Sequence, residues 1–223
     1  LAHRGPDGRG VATLDGCVLG STRLAVVDPP GSDQPIEDLA AGTTVVCNGE
    51  LYGYERLRRE LDRPWRTAGD VEVLLALHER HGAELCPHVP GMFAFALWDA
   101  RGRRLVVGRD RFGEKPLFWA RGRDGQVVLA SELKAVAASG LCALGLDREV
   151  LQQVLRQGWV PPDRTIHPEA HVVPPGHRLL VHDGGVQLDR WWDPPAAGSL
   201  DLEADEAAAE LRRLLRQAVG RQL

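Results

Sequence analysis

The run Met92-Phe93-Ala94-Phe95-Ala96-Leu97-Trp98 is apolar at every position, and it limits what this chain can fold into more than any other segment. Successive side chains of a strand point to opposite faces, so a strand apolar on both faces must be covered on both. The run is far too short to cross a membrane, which takes roughly 18 apolar residues, and no other apolar run comes near that length. The fold therefore needs one layer above this strand and another below it.

Shorter β-like runs surround it. Val18-Leu19-Gly20 leads through Arg23 to Leu24-Ala25-Val26-Val27, and Thr43 to Cys47 is a second run. Arg104 to Gly108 and Val127 to Ala130 each follow a glycine-containing turn, the rhythm of adjacent antiparallel strands. Apolar periodicity predicts a helix over Tyr54 to Leu61, with Tyr54, Leu57 and Leu61 on one side. It predicts another over Asp70 to His81, with Val71, Leu74 and Leu75 on one side and Gly82 as its stop. A short helix is expected near Ser131-Glu132 and a longer one from about Asp147 to Gln157. Val172 to Leu188 reads as a hairpin through Asp183-Gly184-Gly185, and His3 to Gly8 as a turn-rich loop. Ala196 to Leu200 reads as a linker, and Glu203 to Val219 as an amphipathic helix with Ala207, Leu211, Leu214, Leu215 and Ala218 on its stripe. Strand clusters separated by helices fit sheets packed on each other and covered by helices.

Bulk composition narrows the function classes. A length of 223 residues suits one large domain, or one domain and part of another. A net charge of -4 gives no reason to expect nucleic acid or an anionic membrane as partner. Cys17, Cys47, Cys86 and Cys142 form no C-x-x-C pair and no secretory leader is visible, so reduced thiols in the cytoplasm are expected. His78-Glu79-Arg80-His81 is one residue short of the zinc spacing His-Glu-x-x-His, so no metal is expected. Both ends read as cut, with Leu1 running straight into the His3 motif and a helix-like segment stopping at Leu223.

The chemistry is concentrated in three places. Asn48-Gly49-Glu50 follows the run Thr44 to Cys47, Gly69-Asp70-Val71-Glu72 comes twenty residues on, and Arg23 lies upstream. Each alone is bland. Asn-Gly is usually a turn, an aspartate opening a helix is usually a cap, and a lone arginine is usually a surface ion pair. Together they offer a cation for a carboxylate, anions for an ammonium and two donors for a developing oxyanion. A free amino acid with a reactive side-chain amide needs that set.

Collinear motifs then give a family resemblance. His3-Arg4-Gly5-Pro6-Asp7-Gly8, Arg23 to Asp28, Asn48-Gly49-Glu50-Leu51-Tyr52 and Gly91 to Asp99 occur in order. They are followed by Gly108 to Phe118, Ala130 to Ala135, Pro174-Pro175-Gly176-His177 and Arg190-Trp191-Trp192. The series resembles the glutaminase domain of glutamine-hydrolysing asparagine synthetases, class II amidotransferases of the N-terminal-nucleophile (Ntn) hydrolase fold.

The resemblance implies an α+β, four-layer αββα sandwich of two mainly antiparallel sheets. It implies a type 2 amidotransferase domain over residues 1–195, and a linker with the first helix of an ATP-dependent synthetase domain over 196–223. By position, Arg23 would bind the glutamine α-carboxylate, and Glu50 and Asp70 its α-ammonium. The Asn48 side chain and the Gly49 N–H would form the oxyanion hole. Glutamine, a synthetase domain in cis and a homodimer are the implied partners. ATP and magnesium would serve the synthetase domain, and this chain itself needs no cofactor.

The chain departs from the family in places. The family's nucleophile is an N-terminal Cys whose α-amine acts as base, placed about one strand and helix before the His-Arg-Gly-Pro motif. All four cysteines here are internal, so this polypeptide alone is expected to be inactive, and its sheet to be short of one strand with an exposed edge. Gly53 stands where the family has Asn, an expected weaker helix cap. β-Lactam synthetases and lasso-peptide cyclases, which use nucleophile-less domains of this type, are one alternative. A non-catalytic glutamine-binding or assembly module is the other.

Overall fold

The all-apolar run is an inner strand of the largest sheet. A computed structural model describes residues 1–24, 31–183, 185–196, 198 and 202–222. After a 3-10 turn at Ala2–Arg4 come strands β1 (Gly8–Leu14), β2 (Cys17–Arg23), β3 (Ile36–Asp38) and β4 (Thr43–Glu50). Helices α1 (Tyr54–Leu61) and α2 (Val73–His81) lead to β5 (Met92–Asp99), β6 (Arg104–Arg109), β7 (Phe118–Arg121) and β8 (Val127–Ala130). The chain continues through α3 (Leu133–Ala138), α4 (Arg148–Gln157), β9 (Ala170–Val172), β10 (His177–His182), β11 (Gly185–Arg190) and α5 (Ala204–Gly220).

Six strands pair antiparallel in the order β11-β10-β6-β5-β4-β3. The two faces of β5 feed two separate cores. Phe93, Phe95 and Leu97 pack with Leu74, Leu77 and Leu85 on the helix side. Ala94, Ala96 and Trp98 pack on the other side with Leu19 of β2, Trp119 of β7 and Leu129 of β8. Each fully buried Phe or Leu contributes about 1.5–3 kcal/mol, so this one strand ties the layers together. A third cluster joins Ala120 of β7 and Ala170 of β9 to Val136 of α3. The layers are thus α1 and α2, the six-stranded sheet, the smaller sheets, and α3, which is the four-layer αββα arrangement.

The second sheet layer is in two pieces, the hairpin β1-β2 and the three-stranded β8-β7-β9. Among the described residues β2 pairs only with β1, and β8 only with β7. Each therefore keeps one open edge among the described residues.

Several local expectations need correction. The second helix begins at Val73, because Val73, Leu74 and Leu75 still make i→i−3 bonds to Asp70, Val71 and Glu72 in a tighter first turn. It is buried from Val73 through His78 on all sides, so its apolar residues do not form a single stripe. The expected hairpin from Val172 starts at His177. Val172 itself pairs with Phe118 in the other sheet. The opening loop gives way to β1 at Gly8.

Gly53 is a left-handed residue, φ 66°, with no side-chain cap bond. Glycine and asparagine both enter that region readily, so nothing is lost relative to Asn there. The expected strand residues Ala25 to Val27 and linker residues Ala197, Ser199 and Leu200 lie outside the described residues.

Candidate active site

A cleft of about 450 Å³ opens between the free edges of β2 and β8, floored by β4 and β5. All five residues singled out from the sequence line it: Arg23, Asn48, Gly49, Glu50 and Asp70. Asn48-Gly49-Glu50 is the end of β4, paired with Ala94, Phe93 and Met92, and is not a turn. Strand alternation places Asn48 and Glu50 on the face shared with Val46, over the cleft, and leaves Gly49 to contribute backbone between them.

The register aims that backbone. Phe93 accepts from the Asp110 N–H at 2.9 Å and donates to Asp110 Oδ2 at 3.3 Å, so its polar groups point toward β6. The Gly49–Phe93 pair is then a non-hydrogen-bonded one, and the Gly49 N–H points off the other side of β4. β3 ends its pairing at Val45, so that side is open beyond it. Two residues earlier on the same side, the Cys47 N–H donates to Gln34 Oε1 at 2.6 Å. The Asn48 Nδ2 is buried and has no acceptor among the described residues.

Asp70 is 6% exposed, and its Oδ2 accepts the Leu51 N–H at 2.9 Å. The aspartate thus caps the chain leaving β4. Burial raises its carboxyl above the usual range, against the lowering pull of the Leu51, Asp70 and Val71 amides and of Arg23. Arg23 ends β2 with a side chain 10% exposed, and its Nη1 pairs with Asp33 Oδ1 at 3.0 Å. Asp33 is itself largely exposed, so the pair is a weak one that another carboxylate can share.

Sequence reasoning missed Asp33 and Gln34, for which no motif gave a signal. Lys115, within the motif Gly108 to Phe118, also lines the cleft. Its loop is held from below by Asp110, whose Oδ1 accepts the N–H groups of Phe112 and Glu114 and whose Oδ2 accepts that of Lys115. Arg109 braces the same loop through the carbonyls of Gly113 and Lys115 and reaches Val173. The two residues are structural, holding the loop that carries Lys115.

Cys47 packs against the helix-side core, and burial, with Asp70 nearby, pushes its thiol well up. His78 faces Asp99 at 3.9 Å while His81 stacks on His88 at 3.7 Å, so these two histidines serve different neighbours.

The glutamine amidotransferase domain model matches residues 1–192. The chain is 35% identical over 196 residues to glutamine-hydrolyzing asparagine synthetase 3 of Arabidopsis thaliana, covering 87% of this chain and 29% of that protein. It is 34% identical over 229 residues to the amidase chry2 of Gibberella zeae, covering 98% of this chain and 33% of that protein. It therefore spans about a third of the length of these curated relatives. Among solved structures, a Bacillus subtilis glutamine phosphoribosylpyrophosphate amidotransferase superposes with a TM-score of 0.56 at 21% identity, covering 78% of this chain and 35% of that one. That likeness is one of fold. With the sandwich, the cleft and the match in agreement, this chain belongs to the glutamine amidotransferase domain family.

Proposed function

We propose that this chain binds glutamine in the β2–β8 cleft and serves as the glutaminase part of a glutamine-hydrolysing asparagine synthetase, supplying ammonia for ATP-dependent amidation of aspartate. One observation carries the reading. Residues far apart in sequence, Arg23, Asn48, Gly49, Glu50 and Asp70, converge on one cleft with charges that complement an amino acid.

In this reading Arg23 takes the α-carboxylate from its loose pair with Asp33. Asp70 and Glu50 hold the α-ammonium. The Asn48 Nδ2, a buried donor, and the outward Gly49 N–H hold the amide oxygen as it becomes an oxyanion. One such donor contributes on the order of 3 kcal/mol to the barrier. The nucleophile is an N-terminal Cys brought in from outside the described residues, as the family resemblance implies.

Residues 196–223 are read as the start of the synthetase domain, where ATP and magnesium act. That domain in cis and a homodimer partner rest on the resemblance alone. A cytoplasmic setting is supported by four cysteines that remain free thiols. No described helix is long and apolar enough to cross a membrane.

Calorimetric titration with glutamine tests the site. Saturable binding that Asp70→Asn or Arg23→Gln abolishes is expected, and no heat at millimolar glutamine overturns it. Assay of the full coding region for asparagine formation from aspartate, ATP and glutamine tests the product.

A further inference from the structure

The segment between α1 and α2 delivers Asp70 to the cleft, and two side chains outside the cleft grip it. Glu72 is 1% exposed, and among the described residues its carboxylate bonds to this segment alone. Its Oε1 accepts the Arg66 N–H at 3.0 Å. Its Oε2 accepts that same N–H at 3.1 Å, the Thr67 N–H at 2.8 Å and the Thr67 hydroxyl at 2.9 Å. From the other side, Arg58 on α1 donates to the Thr67 carbonyl at 2.5 Å and the Gly69 carbonyl at 2.8 Å. The guanidinium lies 4.4 Å from the centre of the Trp65 ring, which fixes its plane. Residues 66 to 69 are thus held at both their amides and their carbonyls, one residue before Asp70.

A buried carboxylate is costly unless it is fully hydrogen-bonded. Glu72 meets that condition wholly with this loop, which is more than helix α2 needs for its own start. The other end of the clamp is Asp70 itself, whose Oδ2 reaches back to the Leu51 N–H beside Glu50. The loop's position therefore sets where both proposed ammonium ligands stand relative to each other.

We propose that Glu72 and Arg58 are positioning residues for Asp70, and that together they set the cleft's selectivity for a ligand bearing an α-ammonium. The proposal rests on the reading of Asp70 as an ammonium ligand.

Two measurements on the folded chain test it. The first needs no ligand: amide hydrogen exchange at Leu51, whose N–H is held by Asp70. Exchange there rises at least tenfold in Glu72→Ala and in Arg58→Met, while Glu72→Gln, which keeps a carbonyl oxygen to accept the Thr67 groups, restores most of the protection. The second compares glutamine with glutaramic acid, which is glutamine without its α-amino group. Wild type prefers glutamine by about tenfold or more, the span of one charge-assisted bond. Both variants lose most of that ratio while their affinity for glutaramic acid stays within about twofold.

Unchanged exchange at Leu51 together with an unchanged ratio in both variants overturns the proposal. Equal binding of the two ligands by wild type overturns the ammonium reading of Asp70 instead, and the exchange data then judge the clamp alone. If Glu72→Ala fails to fold, Arg58→Met decides, since Arg58 is only half-buried on α1.

Discussion

Gly49 and Phe93 face each other across the β4–β5 ladder so closely that a Cβ on Gly49 would lie 2.8 Å from the Phe93 Cα and 2.2 Å from the Met92 carbonyl oxygen. Non-hydrogen-bonded antiparallel pairs approach more closely than bonded ones, and glycine lets this pair close fully. Backbone, not a flexible side chain, is what a methyl group would meet. Gly49→Ala is therefore expected to cost about 1–3 kcal/mol in chemical denaturation by forcing the strands apart. It is also expected to weaken glutamine binding, since the displaced N–H is the one aimed into the cleft.

Asp110 holds the other side of Phe93. It is 1% exposed, and its carboxylate accepts four backbone N–H groups, those of Phe93, Phe112, Glu114 and Lys115. Asp110→Ala leaves several buried donors unpaired at about 1–3 kcal/mol each, not fully additive. A loss of roughly 3 kcal/mol or more in denaturation is expected. Asp110→Asn, which keeps one acceptor oxygen, is expected to lose less. Equal stability of the Ala variant and wild type would show that the loop does not depend on this carboxylate.

The layers were legible in the sequence because Phe93, Phe95 and Leu97 alternate with Ala94, Ala96 and Trp98, and both sets are apolar. The five cleft residues were legible only as a set of charges and donors, and their convergence is a product of topology. The tight start of α2 was not legible, because Asp70 is a residue type that caps helices, yet its side chain bonds to Leu51 nineteen residues earlier. Nor was the break between Val172 and His177, because both flanking runs are β-like and only long-range pairing assigns them to different sheets. Gly53 misled for a similar reason: identity alone does not reveal a left-handed φ.

That glycine gives a clean backbone test. At φ 66° no atom lies within 4 Å of where a Cβ would sit, so space is not limiting and only the backbone conformation matters. Gly53→Ala is expected to cost about 1–2 kcal/mol. Gly53→Asn is expected to cost clearly less, since Asn tolerates the left-handed region. Paired thermal melts compare the two. Equal losses would place the penalty in something other than φ.

Burial of Asp70 predicts a pH dependence with a definite sign. Its folded carboxyl titrates above its unfolded value of about 3.9, so the folded state binds the proton more tightly. Below that unfolded value both states are protonated and nothing is lost. As pH rises from there through the raised folded value, the unfolded chain ionises first and stability falls. Asp38 and Asp99 are lowered and act in the opposite sense, losing stability as pH falls. The difference between wild type and Asp70→Asn isolates the one group. The Asn variant keeps an oxygen for the Leu51 N–H. Its stability relative to wild type is expected to be lowest below about pH 3.9 and to rise as pH climbs from there toward neutrality, as read from urea midpoints. A constant difference across that range would mean that burial does not govern this carboxyl.

A thiol stands next to the cleft, on the helix-side core, that chemistry of this kind is expected to leave unused. It belongs to Cys47, beside Asn48, but the thiolate is the reactive form, and burial together with Asp70 holds the proton on. Burial likewise pushes Cys17 to about 11 and Cys86 to about 12. The polypeptide of residues 1–223, produced by itself, is thus expected to release no ammonia from glutamine above the uncatalysed background. Its Cys47 is expected to resist iodoacetamide at pH 8 until urea unfolds the chain. Cys47→Ala is expected to leave glutamine binding intact. Ammonia release that disappears in Cys47→Ala would reverse the argument, making an internal thiol the nucleophile and the burial around it no barrier to ionisation.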